Sequence, residues 1–161
     1  MGEMPKTTGE AFARIGAFKD GGVTIDDLKL LALAEAIGKA LYDDLATRAP
    51  NAEVKAVLER HGLEELRHGH RLSEAIEMLT GEPFPIPPVD EIPFYTPLDP
   101  MPVTREAMRG LAQGEFGGKE LYNGVASSFA DPKAIAIFNL NGDEEAEHGR
   151  RILSILELLP E

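Results

Sequence analysis

Apolar positions recur at alternating steps of three and four over four long stretches of this chain, the spacing of helices that each bury one stripe. In the second stretch the stripe reads Val54, Leu58, His61, Glu65, His68, Leu72, Ala75, Leu79. In the fourth it reads Ala134, Phe138, Asn141, Glu145, His148, Ile152, Ile155, Leu159. Both stripes are apolar at their ends and polar in the middle. The first and third behave alike, with Ile25, Leu28, Ala32, Glu35, Tyr42 and with Met108, Leu111, Glu115, Tyr122. The pattern predicts helices over 24–48, 52–80, 104–128 and 132–159. Thr24 and Thr104 stand at helix starts as N-cap residues, and Asn51 and the Asp131–Pro132 pair open the second helix of each half.

The halves are two copies of one unit, displaced by 80 residues. "LALAEAIGKALYDDLA" (31–46) overlays "LAQGEFGGKELYNGVA" (111–126), matching Leu31/Leu111, Glu35/Glu115, Gly38/Gly118, Lys39/Lys119, Leu41/Leu121 and Tyr42/Tyr122. "EELRHGH" (64–70) overlays "EEAEHGR" (144–150). Between the copies, "GEPFPIPPVDEIPFYTPLDPMP" holds eight of the twelve prolines, so it is neither helix nor central strand. The short turn within each copy makes an antiparallel hairpin. The Pro-rich stretch, at roughly 3.1 Å per residue when extended, is long enough to run the length of a bundle. The expectation is a single all-α domain: a four-helix bundle of two repeated hairpins (24–80 and 104–159) joined by a long crossover (81–103). Residues 1–23, broken at Gly21-Gly22, form a lead-in that the pattern places nowhere.

Composition narrows the chemistry. The chain has no cysteine, which excludes disulfides, thiolate catalysis, thiolate-bound zinc and a built-in rubredoxin-type electron carrier. A formal net charge of −12 repels phosphate backbones and anionic lipid, so neither nucleic acid nor membrane is expected as a partner. No apolar run approaches the ~18 residues of a membrane span, and the N-terminus lacks the apolar stretch of a signal peptide. A soluble cytoplasmic protein is expected.

The polar middles of the four stripes carry the candidate site. Register separates the adjacent glutamates: Glu65 and Glu145 lie on the seam, while Glu64 and Glu144 are turned ~100° away and are expected to be dispensable for the site. Depth agrees, since Glu35 lies about 14 residues before the first hairpin turn and Glu65 about 15 after it, a difference of ~1.5 Å along the axis. The same arithmetic holds for Glu115 and Glu145. Four carboxylates and two imidazoles therefore converge on one level of the interior. Without cations, four buried glutamates would cost many kcal/mol and be driven to protonate. Two divalent cations cancel four negative charges, and carboxylate with imidazole suits iron or manganese, whereas zinc alone takes fewer ligands around one tetrahedral centre. One Glu from each of two helices and Glu-x-x-His from each of the other two is the di-metal pattern of carboxylate-bridged bundles. The expected ligands are Glu35, Glu65, His68, Glu115, Glu145 and His148.

Tyr42 and Tyr122 follow Glu35 and Glu115 by seven residues and lean back toward the site, placed to hydrogen-bond a ligand carboxylate. His61, whose counterpart is Asn141, faces the same region. It reads either as an outer neighbour or spare ligand, or as a satisfied core histidine. His70 is off the seam and solvated. Lys39 and Lys119, four residues after Glu35 and Glu115, read as surface ion pairs or as groups orienting those glutamates.

The order Glu, Glu-x-x-His, Glu, Glu-x-x-His across residues 24–159 resembles the ferritin-like di-iron carboxylate proteins, most closely the rubrerythrin group. The even two-fold repeat resembles symerythrin-type members. The resemblance implies a ferritin-like fold with two iron ions per chain, manganese or a mixed Mn/Fe pair being the other metals such a site takes. It also implies Glu35 and Glu115 as terminal ligands, Glu65 and Glu145 as bridges, and one imidazole for each iron. The implied activity is that of a di-iron oxidoreductase, a peroxidase or oxidase, reducing hydrogen peroxide or dioxygen as its Fe(II) is oxidised. An external electron donor and a homo-oligomer, a dimer, go with it. The same site type also serves as a ferroxidase in iron handling, or as an oxygenase, which needs an apolar channel; Gly114, Gly117 and Gly118 leave room for one. Rubrerythrins carry a further carboxylate where this chain has Gly118, whose twin is Gly38, and Glu120, ~140° off the seam, does not replace it. A glycine inside a helix costs ~1 kcal/mol relative to alanine, so the matched pair points to needed space or a local helix distortion.

Overall fold

Each long helix begins where a side chain takes up its first free amides. In the computed structural model, which describes residues 4–161, Thr24 accepts from the Asp27 amide at 3.3 Å while the Asp27 carboxylate accepts from the Thr24 amide at 3.0 Å, a reciprocal capping box. Asn51 accepts from the Val54 amide at 2.9 Å and Thr104 from the Ala107 amide at 3.3 Å, and Asp131 caps the last long helix just ahead of Pro132. The elements are α1 (Thr8–Ile15), α2 (Ile25–Thr47), α3 (Ala52–Thr80), α4 (Arg105–Ser127) and α5 (Pro132–Ser154). Short 3-10 turns lie at Gly16–Asp20, Val89–Glu91 and Leu156–Leu158, and no strand occurs among the described residues.

α2 packs on α3 and α4 on α5, the two hairpins meet through α3 and α5, and the backbones of α2 and α4 stand apart. The apolar interior is divided in two by the polar level of the bundle. One cluster, with Leu28, Leu72, Ile76, Val125 and Phe138, fills one end; the other, with Leu45, Val54, Leu58, Met108 and Ile152, fills the opposite end. α5 stops five residues short of the expected 159. Its apolar stripe still reaches Leu159, which is buried, but the carbonyls of Leu156 and Leu159 are taken by the Arg105 guanidinium, both at 3.2 Å, instead of by further helix.

The lead-in is structured. Thr7 caps α1, and α1 packs on α2 while the following turn lies on α4. The Val23 amide donates to Ser128 Oγ at 3.0 Å, so residues 7–23 strap the start of α2 to the end of α4. An amphipathic helix of eight residues is too short to stand out by periodicity. The crossover returns along α2, burying Ile92 and Phe94, and Thr96 exchanges three hydrogen bonds with Thr8 of α1. With both segments on its outer side, α2 is buried without a break from Leu30 to Ile37, which is why its stretch "LLALAEAI" is apolar nearly all round.

The strap depends on Gly124. A Cβ there would lie 2.0 Å from the Phe18 carbonyl oxygen and 2.6 Å from that of Lys19, both backbone atoms that cannot yield cheaply. In an unconstrained helix Gly→Ala gains ~1 kcal/mol. Gly124→Ala is expected instead to destabilise the protein by about 1–3 kcal/mol through overpacking. Denaturant unfolding with hydrogen exchange over residues 7–23 checks this: a neutral or stabilising effect would mean that the strap is not held as described.

Candidate metal centre

Four helices deliver the polar level: Glu35 from α2, Glu65 and His68 from α3, Glu115 from α4, Glu145 and His148 from α5, all buried. Their ligand atoms form two overlapping groups, Glu35–Glu65–His68–Glu145 and Glu65–Glu115–Glu145–His148, with the atoms of each group within 4.8 Å of one another. Glu65 and Glu145 belong to both groups, and each group holds one imidazole. His68 Nδ1 lies 2.9 Å from Glu145 Oε1 and 3.8 Å from Glu35 Oε2. His148 Nδ1 lies 3.0 Å from Glu65 Oε1 and 3.6 Å from Glu115 Oε2. Despite these short separations, both Nδ1 atoms and Glu65 Oε1 are buried without a hydrogen-bond partner. Buried polar atoms left unpaired are costly and rare. Donor atoms gathered this closely yet not hydrogen-bonded to one another fit cations held by oxygen and imidazole nitrogen.

Glu64 and Glu144 correct the sequence expectation. The ~100° rotation that takes them off the seam carries them into the α3–α5 interface, not into solvent. Glu64 Oε2 lies 2.9 Å from His148 Nε2 and Glu144 Oε2 lies 2.9 Å from His68 Nε2, so each hairpin's carboxylate holds the other hairpin's imidazole. A carboxylate accepting from Nε2–H fixes the tautomer that leaves the Nδ1 lone pair free for a metal. Arg71 grips Glu144 through two bonds at 2.8 and 3.1 Å, and Arg151, its counterpart 80 residues on, reaches Glu64 at 2.5 Å, with Arg60 adding a bond at 3.0 Å. Burial pushes the Glu64 carboxyl up, but Arg151, Arg60 and His148 more than offset it and hold it at about 2; the His68 bond and Arg71 likewise hold Glu144 well below the carboxylate range. The sequence signal was present: the Glu-Glu doublet and the arginine both recur in the repeat.

The tyrosines also cross between hairpins. Tyr42 donates to Glu115 Oε1, and Tyr122 donates to Glu35 Oε1 at 2.5 Å. Burial and the surrounding glutamate charges push both phenols well up, so they stay protonated as donors. Asn141 donates to the Tyr122 oxygen at 3.2 Å and to the His68 carbonyl at 3.3 Å. Its counterpart His61 does neither. Its ring stacks on His148 with centroids 4.3 Å apart, both of its nitrogens lack partners, and burial together with His148 pulls it down to about 3, so it is neutral. It joins neither ligand group. Lys39 and Lys119 pair with Asp43 at 2.5 Å and Asp143 at 2.7 Å on the surface, away from the glutamates, and His70 is exposed.

Gly38 and Gly118 supply space. A Cβ at Gly38 would meet Glu65 Oε2 at 3.1 Å, and one at Gly118 would meet Glu145 Cγ at 3.0 Å, while both helices run as regular α-helix through these positions. The position that carries an extra carboxylate in rubrerythrins is here the clearance for a shared glutamate.

Burial, and then the neighbouring carboxylates, push Glu65 and Glu145 well above the usual range, which favours their protonated forms when no cation is present. Burial also raises Glu35 and Glu115, but the neighbouring His68 imidazole and the Tyr122 bond at the first, and the neighbouring His148 imidazole, Glu145 and the Tyr42 bond at the second, leave both below their ordinary values. Burial pulls His68 down, but Glu144 and Glu35 outweigh it and raise it to about 10. Groups raised on folding stabilise the fold fully below their ordinary values and lose that contribution as pH climbs through the raised ones. The metal-free protein therefore loses the contribution of Glu65 and Glu145 as pH rises, and cations that displace their protons restore it. The rise in melting temperature on loading with Fe(II) or Mn(II) should grow from about pH 5 to about pH 8. A rise that is absent, or flat with pH, would contradict a buried proton–metal exchange.

Glu65→Ala and Glu145→Ala should abolish most metal uptake. Glu64→Ala and Glu144→Ala should each weaken affinity by about 10- to 100-fold, as loss of an imidazole-orienting carboxylate does elsewhere. Metal titration against a competing chelator measures both, and wild-type affinity in Glu64→Ala would remove the carboxylate from any orienting role.

No protein-family model matches this chain, and no curated protein matches it in sequence. Solved structures do. A hypothetical protein from Pyrococcus furiosus is 19% identical with a TM-score of 0.65, over 84% of this chain and 89% of that one. A protein from Thermotoga maritima, described provisionally as a ferritin-like diiron-carboxylate protein, is 17% identical with a TM-score of 0.62, over 85% of this chain and 97% of that one. At these identities the likeness establishes the fold: the chain is a ferritin-like four-helix bundle.

Proposed function

We propose that this protein is a di-iron oxidoreductase of the rubrerythrin and symerythrin type, which reduces hydrogen peroxide while its bound Fe(II) is oxidised. The observation that carries the reading is the pair of overlapping ligand groups sharing Glu65 and Glu145, buried and with unpartnered donor atoms aimed inward. Two Fe(II) ions held there would supply the two electrons that, with two protons, take hydrogen peroxide to two waters. The same donor set accepts manganese or a mixed pair.

The chain's own residues set the conditions for that chemistry. Tyr42 and Tyr122 hold Glu115 and Glu35 from the opposite hairpin, and Glu64 and Glu144 hold the two imidazoles, so ligand geometry is fixed before any oxidant arrives. Burial of the level restricts bulk water, and Glu65 and Glu145 are the groups whose surroundings favour taking up protons. Peroxide is favoured over dioxygen by electron count. Dioxygen needs four electrons to reach water, and a chain without cysteine holds no thiolate-bound relay to bring the other two. Repeated turnover then draws on a reductant from outside the chain.

Stopped-flow mixing of the Fe(II)-loaded protein with equal concentrations of hydrogen peroxide and of dioxygen tests this. Oxidation by peroxide is expected to be the faster. Equal or faster oxidation by dioxygen would overturn the peroxide assignment in favour of ferroxidase or oxygenase chemistry at the same centre.

A further inference from the structure

α2 and α4 stand apart over the metal centre, and the gap between them is a cleft of about 470 Å³. Its floor is the centre itself: Glu35, Glu65, Glu115 and Glu145, with the two tyrosines beside them. Its walls are apolar, Leu31 and Leu41 from α2 facing Leu111 and Leu121 from α4. Phe12 and Ile15 of α1 line it as well, as does Met101 of the crossover. Leu111, expected on the buried seam, is only half-buried, because Ala112 takes the core position and leaves Leu111 on this cleft.

The mouth is made by glycines that packing does not require. At Gly38 and Gly118 an added Cβ would press on a glutamate, but at Gly110 and Gly114 it would meet nothing within 4 Å. In the first copy the corresponding positions are Leu30 and Ala34. Each of these glycines sits inside α4, where it costs ~1 kcal/mol of helix stability relative to alanine. The two lie four apart on the face of α4 that borders the cleft, so the second copy gives up side chains on the side that opens toward the centre.

We infer that this cleft is a binding site for a neutral, apolar small molecule, which enters past Gly110 and Gly114 and ends against Glu35 and Glu115. Its volume lies in the range of small-ligand pockets, roughly 300–1,000 Å³, and far exceeds the needs of hydrogen peroxide. The walls carry no lysine or arginine, so nothing on them pairs with an anion. Four glutamates with two divalent cations are neutral in sum, so the floor attracts neither sign strongly. A molecule with an apolar body and at most one small polar end matches walls and floor together. The site rests on the di-metal reading for what its floor holds, and not for its walls.

1-Octanol is the probe, titrated by calorimetry into the metal-free and the metal-loaded protein, with metal content measured separately. Wild-type protein is expected to bind it with one site per chain. Gly114→Leu fills the cleft from α4 with a better helix former and is expected to weaken binding by at least about tenfold, with metal content and melting temperature preserved. Gly110→Leu serves as the second variant should the first not fold. Absence of binding by wild-type protein overturns the inference, as does unchanged binding in the leucine variants. A dimer whose cleft takes no octanol also overturns it and assigns the face to a second copy of the chain. The two readings separate cleanly: a protein that takes up two metals but no octanol loses only the cleft, and one that binds octanol but no metal loses only the di-metal centre.

Discussion

Four carboxylates confined to one level of a bundle interior repel each other in a medium that screens poorly, and the rest of the structure can be read as the compensation. Part of it is local. Tyr42 and Tyr122 each donate to a glutamate, and in the metal-free state protons on Glu65 and Glu145 reduce the charge. Part of it is steric, since Gly38 and Gly118 let the shared glutamates sit against helix backbone. What remains unpaired, His68 Nδ1, His148 Nδ1 and Glu65 Oε1, is a donor set that suits divalent cations. A centre that merely tolerated buried acids would pair those atoms with neighbouring protein groups.

The compensation also fastens the halves of the protein together. Each tyrosine and each orienting glutamate acts on the opposite copy, as does one arginine gripping each of those glutamates: Tyr42 on Glu115, Tyr122 on Glu35, Glu64 on His148, Glu144 on His68, Arg151 on Glu64, Arg71 on Glu144. α2 and α4 contribute little direct packing to that union. The hairpins are therefore held across the polar level by α3 and α5 and by the two tyrosine–glutamate bonds between α2 and α4, and at one end by the strap of residues 7–23. This frees the α2–α4 side to remain open above the centre.

What was legible in the sequence follows from what periodicity encodes. Stripe spacing and the N-cap residues locate α2 to α5 closely, because a helix writes its buried face into every third or fourth residue. The ligand residues stand on that stripe and recur 80 positions later. The roles of Glu64 and Glu144 are not legible from the stripe: in a four-helix bundle a residue ~100° from the core seam can face a neighbouring helix instead of water, and a single-helix projection does not say which. α1 escapes the pattern because eight residues carry too few turns for a period to show, and its placement rests on long-range contact with Thr96, as that of the turn after it does on Gly124. The end of α5 was overrun because the apolar stripe continues into a 3-10 turn whose carbonyls are satisfied from α4.

The two copies supply matching residues to the two candidate ligand groups, so any difference between those groups must come from where the copies diverge. One divergence lies below the centre. Asn141 donates to the Tyr122 oxygen, whereas His61, at the matching position, leaves Tyr42 with only an aromatic edge contact at 5.2 Å between ring centroids. A phenol that both donates to a carboxylate and accepts from an amide is more firmly held than one that only donates, so Glu35 is anchored through a longer chain of bonds than Glu115. The other divergence lies above, where Gly110 and Gly114 replace Leu30 and Ala34 on the side of Glu115. The two changes come from different copies, yet both lie on the side of Glu115. Tyr42, which only donates, and the glycine face of α4 both border Glu115, so the surroundings of that glutamate differ most from those of its counterpart Glu35.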